Sequence, residues 1–427
     1  MTVLFDRPIV LVMRVGLLIR NDHVETMFRL GLKVHLLTEE KGAVLDPRFA
    51  SVRVLSPTLS ADALTKEIVA TMRETGAAFA VTFYETDIVA VGRANEQHGV
   101  PWSRPEADAT ARDKSRQRAH LRRHGLPTPI SVGVDDVTPA EDVFARVGLP
   151  CVVKPTHGAG SAHVELVNDP ARASEVLADI RRLTITGEEH FYDAVPPTWA
   201  LVEEYLPGEE VTCDGVVIDG DFYLGGVHSK VLPNPPWFDE DLYALPYGDE
   251  AVEASLSETM AQLVGTLGLD IAIINAEWRR GADGRFRIVE FSTRISGGHV
   301  YRNIRDVHAV DLVELFLLAA FGDQERARRE ARLRHPGRLA TCVKFIYRTG
   351  VIVENSAGRA RTNPHFREYY PVAGPGEEVR GTPDGFEPCG LLSVWAPYDC
   401  ADHPGSIRRA AEECAELLRL DVRPFDS

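Results

Sequence analysis

The stretch that most strongly indicates the fold is Ile273-Ile274-Asn275-Ala276-Glu277-Trp278-Arg279-Arg280, then Gly281-Ala282-Asp283-Gly284, then Arg285-Phe286-Arg287-Ile288-Val289-Glu290-Phe291-Ser292-Thr293-Arg294. Two strand-like runs flank Asp283-Gly284, a dipeptide typical of two-residue hairpin turns. If these two residues form the turn, Glu277 lies directly opposite Glu290. Because side chains alternate between the two faces of a strand, Ser292 and Arg294 then share the face of Glu290.

Two carboxylates directly opposite each other on a ladder have Cβ atoms about 5 Å apart and repel each other. A bound divalent cation would convert this repulsion into a binding site. Hard oxygen ligands with Arg294 on the same face favour Mg²⁺ carrying substrate phosphates over zinc. The alternative is the solvated polar face of an ordinary hairpin, with Arg279 and Arg287 as counter-charges, and a four-residue loop would change the register.

A second candidate site is a small-residue loop that follows an apolar strand. The run Pro150–Lys154 ends in a lysine, and Gly158, Gly160 and Ser161 follow it. Glycines let backbone N–H groups approach phosphate oxygens closely, and the lysine supplies a point cation. The spacing is not that of a Walker loop, and a turn of this composition is also typical of a plain hairpin.

Taken in chain order, these segments resemble the ATP-grasp superfamily, specifically its carboxylate–amine ligases such as the L-amino acid ligases that make dipeptides. The resemblance covers about residues 110–320. It is carried by Asp113-Lys114, Val152–Pro155 with the loop Gly158–Ser161, Val202–Val211, Glu277 and Glu290–Arg294.

The resemblance implies a role for each matching residue. Lys114 and Lys154 would bind the α- and β-phosphates of ATP, and the loop with Gly158, Gly160 and Ser161 would close over the β- and γ-phosphates. The strand with Glu203, Glu204, Tyr205 and Leu206 would contact the adenine, and Glu210 the ribose. Glu277, Glu290 and Ser292 would hold two Mg²⁺ ions, or Mn²⁺ in their place, and Arg294 would be catalytic. The family usually has Asn where this chain has Ser292.

Substrate selection is expected in two further segments. One contains His228, Lys230 and the loop 232–246 with Trp237, although that loop is equally typical of a crossover that packs its aromatic residues inward. The other is Gly297-Gly298, which would leave space beside the reacting carboxylate and so favour a roomy pocket.

The implied function is an ATP-dependent ligase that joins a small-molecule carboxylate to an amine, between two amino acids or amino-acid-like substrates, through an acyl phosphate. Two alternatives stay open. One is a purine-biosynthetic or biotin-carboxylase-like ligase of the same superfamily, and the other is a nucleotide-binding protein without ligase activity, which the departure at Ser292 keeps in play.

Composition limits the class of partner. The 427 residues carry a formal charge of −16, with only seven lysines, so polyanionic partners such as nucleic acid or anionic membrane are not expected. Six scattered cysteines without metal-ligand spacing, and no apolar stretch of membrane-spanning length, predict a cytoplasmic protein. Relatives often form dimers, so a homodimer is a further expectation.

The order of apolar and amphipathic segments predicts a mixed α/β and α+β chain with the ATP-grasp fold. We expect a Rossmann-like α/β domain over 1–108, an ATP-grasp domain over 109–335 with its lid at about 140–206, and an α+β domain over 336–427. A single helix is predicted from Ala109 to His124, ended by Gly125-Leu126-Pro127.

Overall fold

The N-terminal part of the chain builds a parallel sheet covered by helices. The computed structural model describes residues 7–17, 19–40, 46–158, 160–186, 196–232, 236–238, 241–334, 338–381, 385, 388–399 and 401–425. The first strands are β1 (Pro8–Val12), β2 (Lys33–Thr38), β3 (Ser51–Val54) and β4 (Ala80–Thr82), with α1 (Asn21–Arg29), α2 (Ala61–Thr75) and α3 (Ile88–His98) between and after them. All neighbours in the order β3-β2-β1-β4 are parallel, which confirms the predicted α/β arrangement.

The predicted helix from Ala109 to His124 is wrong in one respect, because the structure has two helices, α4 (Pro105–Arg112) and α5 (Lys114–Arg123). Asp113 separates them with an extended backbone, φ −114° and ψ 111°, and its carboxylate accepts from the N–H of Ser115 at 2.7 Å. Asp is a strong N-cap residue, since its side chain satisfies otherwise unpaired amides. The cap places Lys114 at the first position of α5.

A four-stranded antiparallel sheet, called here the lid sheet, lies in and just before the range where the lid is expected. Its strands are β5 (Ser131–Val134), β6 (Cys151–Pro155), β7 (Glu165–Val167) and β8 (Ala200–Glu204) in the order β5-β8-β6-β7, with α6 (Ala140–Val147) and α7 (Pro170–Thr186). Both helices pack on these strands around a buried apolar cluster that includes Val143, Val176 and Ile180. β7 begins only at Glu165, because Ser161 and His163 in the preceding loop have positive φ angles of 58° and 57°.

An eight-stranded sheet spans the rest of the molecule. Its strands are β9 (Glu210–Ile218), β10 (Asp221–Val231), β11 (Leu242–Leu245), β12 (Ile271–Arg280), β13 (Phe286–Ser292), β14 (Leu339–Ile346), β16 (Phe366–Pro371) and β18 (Gly390–Pro397). The order β13-β12-β9-β10-β11-β14-β18-β16 pairs β11 with β14, so the sheet runs past the predicted boundary at 336. The remaining strands, β15 (Gly350–Ser356), β17 (Glu378–Val379) and β19 (Arg419–Arg423), form a small fourth sheet.

Five further helices cover these sheets: α8 (Glu250–Leu267), α9 (Val300–His308), α10 (Leu312–Ala320), α11 (Gln324–Ala331) and α12 (Gly405–Glu416). α10 packs between β9 and β12 of the large sheet and α1 of the N-terminal region, so the two parts share one apolar cluster. In the described part of the chain, no helix combines the length and the apolar character that a membrane crossing requires.

The hairpin of β12 and β13 has the predicted register at its carboxylates but not the predicted turn. The Gly281 N–H donates to the Arg285 carbonyl at 2.8 Å, so the loop has three residues and ends at Gly284, whose φ is +77°. The extra loop residue would move Glu290 to the wrong face. However, Val289 is bulged out of the ladder between the pairs Trp278↔Ile288 and Glu277↔Glu290, which restores the register.

Candidate nucleotide and substrate site

Two adjoining cavities meet at the carboxylates of Glu277 and Glu290. The first, called here the nucleotide cavity, lies between the lid sheet and the large sheet. The second, called here the substrate cavity, opens toward the N-terminal region. The nucleotide cavity is lined by Lys114, Val152, Lys154, Pro155, Gly158, Ser161, Ala162, Glu203, Glu204, Tyr205, Leu206, Glu210, Phe238, Glu277, Arg279, Val289 and Glu290, among others. Gly160 lines the substrate cavity instead.

Lys114 connects three parts of the nucleotide cavity. Its Nζ lies 2.9 Å from Oε1 of Glu290 and donates to the Gly158 carbonyl at 3.3 Å. Its backbone N–H donates to the Thr156 carbonyl at 3.0 Å, which ties the start of α5 to the loop after β6. The ammonium is therefore held between the candidate phosphate loop and a candidate metal carboxylate.

Glu203 holds two buried cations beneath the nucleotide cavity. Its carboxylate accepts from Nε of Arg118 at 2.5 Å and lies 2.6 Å from Nζ of Lys154. Burial alone would raise the pKa of Glu203, but the two cations outweigh it and hold that pKa at about 2. Lys154 and Arg118 also donate to the Val289 carbonyl at the bulge. The Glu203 carboxylate thus holds Lys154 in position through this ion pair.

The neighbouring carboxylate of Glu204 is also in use. It accepts from the backbone N–H of Ile130 at 2.9 Å and lies 3.6 Å from Nε of Arg287. The segment Glu204–Leu206 therefore lines the nucleotide cavity, and Ile130 and Arg287 hold the Glu204 side chain in place at the end of β8.

Lys230, which the sequence assigned to substrate selection, lines neither cavity and instead pairs with two carboxylates of the nucleotide cavity. Its Nζ is 2.8 Å from Glu210 and 3.1 Å from Glu277. Arg279 contacts the other oxygen of Glu210 at 3.1 Å. Burial opposes ionisation of Glu210, but these two cations outweigh it and lower the pKa of that carboxyl. The residue assigned to the ribose is therefore an anchored carboxylate.

Glu277 and Glu290 fit a site for a hard divalent cation that carries phosphate. They lie directly opposite each other, each contacts one lysine, and their side chains are 24 % and 31 % exposed. In the described residues, no group of three or more His, Cys, Asp or Glu side chains could hold a metal ion. Two carboxylates at a shared cavity mouth suit Mg²⁺, which keeps water and substrate phosphates among its ligands. The third candidate, Ser292, is buried and donates its hydroxyl to Glu85 at 2.9 Å.

The substrate cavity has a volume of about 260 Å³. It is lined by Arg20, Phe83, Tyr84, Glu85, Gly160, Ser161, Thr212, Tyr243, Asn275, Glu277, Glu290, Ser292, Arg294, Ser296, Gly297 and Val300. Ser161, Glu277 and Glu290 line both cavities, so a group bound at these residues is accessible from either side.

Arg294 lies in the substrate cavity with an unexpected partner. Its Nε donates to Glu85 at 2.5 Å, and its Nη1 donates to the Ile295 carbonyl at 2.8 Å. Glu85 is buried on a short 3₁₀ turn, Glu85–Asp87, that follows β4. Burial would raise the pKa of Glu85, but Arg294 and Arg112 outweigh it and lower that pKa. The N-terminal region therefore orients an arginine that follows β13 of the large sheet.

Sequence reasoning missed Glu85 and Arg20, both from the N-terminal region. A usable signal existed, because both follow strands of a parallel sheet, β4 and β1, at their carboxyl ends. Ligand sites of parallel α/β sheets lie at that edge.

Two further residues assigned to substrate selection, His228 and Trp237, do not have the expected environment. His228 is fully buried because α9 packs against β10 there, and burial lowers its pKa to about 3. Trp237 forms a β-bridge with Glu165 and is outside the lining of both cavities, whereas the adjacent Phe238 lines the nucleotide cavity. The other residues of the predicted loop at 233–235 and 239–240 lie outside the described residues.

The two glycines differ from each other. Gly297 lines the substrate cavity, and a Cβ there would meet nothing closer than Nη2 of Arg20 at 3.9 Å. Gly298 has a φ of +53°, and a Cβ there would lie 2.5 Å from the ring of Phe345. Only Gly297 therefore leaves space for a substrate.

The chain is similar in sequence to a known domain and to known proteins. Residues 147–302 match the model of the ATP-grasp domain. The chain is 24 % identical over 305 residues to alanine–anticapsin ligase of Bacillus subtilis, covering 65 % of this chain and 62 % of that protein. It is 26 % identical over 265 residues to carnosine synthase 1 of Mus musculus, covering 59 % and 32 %. The chain thus spans less than two thirds of the length of these curated relatives.

Solved structures show the same fold over nearly the whole chain. An L-amino acid ligase from Bacillus licheniformis has a TM-score of 0.81 at 18 % identity, covering 98 % of this chain and 99 % of that one. Phosphoribosylglycinamide synthetase from Anaerococcus prevotii has a TM-score of 0.69 at 13 % identity, covering 98 % and 100 %. Together with the matched domain model, these similarities confirm the predicted ATP-grasp fold. The chain therefore has the ATP-grasp fold, and residues 147–302 match the ATP-grasp domain.

Proposed function

We propose that this protein is an ATP- and Mg²⁺-dependent ligase that joins the carboxylate of one amino acid or amino-acid-like substrate to the amine of another, releasing ADP and phosphate. The observation that carries the proposal is the meeting of the two cavities at Glu277, Glu290 and Ser161. A nucleotide in the first cavity would present its terminal phosphate to a small molecule in the second. The relatives named as ligases of amino acids support the same substrate class.

The reaction would proceed in two balanced steps. A substrate carboxylate oxygen attacks the γ-phosphorus, the bond from that phosphorus to ADP breaks, and an acyl phosphate forms. The second substrate's amine then attacks the acyl carbon, the carbon–oxygen bond to phosphate breaks, and the proton lost by the nitrogen passes to the departing phosphate or to solvent. Bound Mg²⁺, held by Glu277 and Glu290, would neutralise the phosphate oxygens.

The residues of the chain supply position and charge. Lys114 and Lys154 would fix the phosphates, because each ammonium is already held in place by a carboxylate. Arg294 uses its Nε and Nη1 within the described structure, which leaves Nη2 to bind the carboxyl oxygen that becomes negative in the second step. Glu85 keeps that guanidinium charged and oriented.

Phosphate release from ATP and Mg²⁺ across a matrix of amino-acid pairs tests the proposal. We expect release that requires two amino acids together, with the coupled product identified by mass spectrometry. Release that instead requires bicarbonate or a purine-pathway intermediate would replace the proposed substrates, and nucleotide binding without release under any condition would refute ligase activity. Glu290→Gln is the matched control for contaminating ATPase.

A further inference from the structure

Arg20 is a buried cation that lines the substrate cavity. It is 8 % exposed, and its Nη1 donates to the Ser296 carbonyl at 2.7 Å and lies 3.3 Å from Nε2 of His23. Its Nη2 faces Gly297 across the open space described above. The guanidinium therefore presents part of its donor edge to the cavity.

The position of Arg20 is fixed by aromatic packing. His23 lies between the rings of Phe83 and Tyr301, at centroid distances of 4.4 and 4.1 Å. The guanidinium carbon of Arg20 lies 5.6 Å from the Tyr301 ring centroid. Such an arrangement holds a planar, five-donor group in one orientation, which suits two-point recognition of a carboxylate.

The other charges of the cavity are already balanced. Arg294 pairs with Glu85, Glu290 with Lys114, and Glu277 with Lys230. No carboxylate of the described residues forms an ion pair with Arg20. The nearby Asp214 accepts from the Ser296 N–H at 3.1 Å, and burial raises the pKa of that carboxyl to about 6.

Burying a guanidinium without a carboxylate in contact is costly to the folded protein, and the charge of Asp214 offsets that cost only in part. Burial and the nearby Arg294 lower the pKa of Arg20 to about 10, so it still carries its proton at neutral pH. A ligand that brings a negative group would supply a counter-charge in direct contact with the guanidinium, and Gly297 leaves room for it.

We infer that Arg20 forms a subsite for a substrate carboxylate that is not phosphorylated. This inference deepens the proposed function and rests on it. The carboxylate has two chemical sources: the α-carboxylate of the amine substrate, or a second carboxylate of the activated substrate. In both cases the enzyme would prefer the acid over its amide at that position.

The test compares acids with their amides in wild type, Arg20→Met and Arg20→Lys. The pairs are L-alanine with L-alaninamide for the α-carboxylate, and L-glutamate with L-glutamine for a second carboxylate, offered in turn as donor and acceptor. We expect Arg20→Met to raise the KM of the acid by about 10- to 100-fold, as for loss of a charged hydrogen bond, with the KM of ATP unchanged. Arg20→Lys keeps the positive charge, so its KM for the acid should lie between those of wild type and Arg20→Met.

The matched control is Arg48→Met, which removes an exposed arginine of the same region that pairs with Asp46 and Glu25. Calorimetric binding of MgADP to each variant reports whether it is folded. The substrate pair whose acid preference disappears identifies the source of the carboxylate. Equal losses for acid and amide in Arg20→Met and Arg20→Lys, or no loss for either, would overturn the inference.

A binding measurement separates this inference from the proposed function. Titration of the acids and amides into MgADP-bound protein detects acid-selective binding without turnover. If no substrate pair releases phosphate but acid-selective binding disappears in Arg20→Met, the subsite stands and the ligase proposal fails. If phosphate release requires two amino acids but the variant keeps its acid preference, the ligase stands and the subsite fails.

Discussion

Glu203→Gln would remove the carboxylate that Arg118 and Lys154 share beneath the nucleotide cavity. Gln has nearly the same shape as Glu, so the substitution changes the charge with little change in packing. It leaves two like charges buried within contact distance of one neutral amide. We therefore expect a large loss in the free energy of unfolding at neutral pH.

The size of the loss follows from the pKa of Glu203. The shift from 4.5 to about 2 on folding corresponds to a stabilisation of about 3 kcal/mol at neutral pH. Removing one partner of a buried ion pair typically costs about 3–5 kcal/mol, which agrees. Because the folded-state pKa is lowered, this stabilisation is present in full above the unfolded-state pKa and is lost as the pH falls toward 2.

Urea denaturation followed by tryptophan fluorescence, at pH values from 7 down to 4, measures the effect. The difference between wild type and Glu203→Gln should be largest at pH 7 and should narrow below about pH 5. The control is Glu209→Gln, an exposed carboxylate 2.7 Å from Arg280, whose loss should cost less than about 1 kcal/mol. A difference below 1 kcal/mol for Glu203→Gln, or one that does not vary with pH, would refute the reasoning.

Three further predictions concern the two cavities. Glu290→Gln should lower the rate of phosphate release at least about 100-fold, while the melting temperature stays near that of wild type. A near-normal rate would contradict the assignment of Glu290 as a metal ligand. Glu85→Gln should lower kcat about 10- to 100-fold by leaving Arg294 without its counter-charge, with the KM of ATP as the unaffected control. Gly298→Ala should cost about 2 kcal/mol in urea denaturation, from its positive φ and a clash with the ring behind it, whereas Gly297→Ala should cost little; equal costs would contradict this.

The sequence predicts best where local chemistry decides the structure. The alternation of strands and helices gives the parallel N-terminal sheet, and the alternation of side chains places Glu277 opposite Glu290. The prediction of a single helix across Asp113 is wrong because the surrounding sequence fits Asp113 equally well as an N-cap and as a residue inside a helix. Only the backbone of Asp113 distinguishes them.

The substrate cavity is less predictable because it depends on how distant segments pack. Glu85 and Arg294 are separated by 209 positions, and neither has a neighbour in sequence that indicates the pair. His228 lies two residues from Lys230 on the same strand, so strand alternation predicts one environment for both. α9 covers the first of these residues and leaves the second to contact Glu210 and Glu277.

The bulge at Val289 has a consequence for recognising related chains. The extra residue in the loop shifts the register of the two strands by one residue, and the bulge shifts it back. The number of residues between Glu277 and Glu290 can therefore differ among chains while the two carboxylates still lie opposite each other. A search that demands one fixed spacing between them would pass over chains with the shorter loop and a regular strand. Related chains are better recognised by considering the length of the loop and the presence of the bulge together. A second mark is the carbonyl of the bulged residue, here Val289, which accepts hydrogen bonds from Arg118 and Lys154.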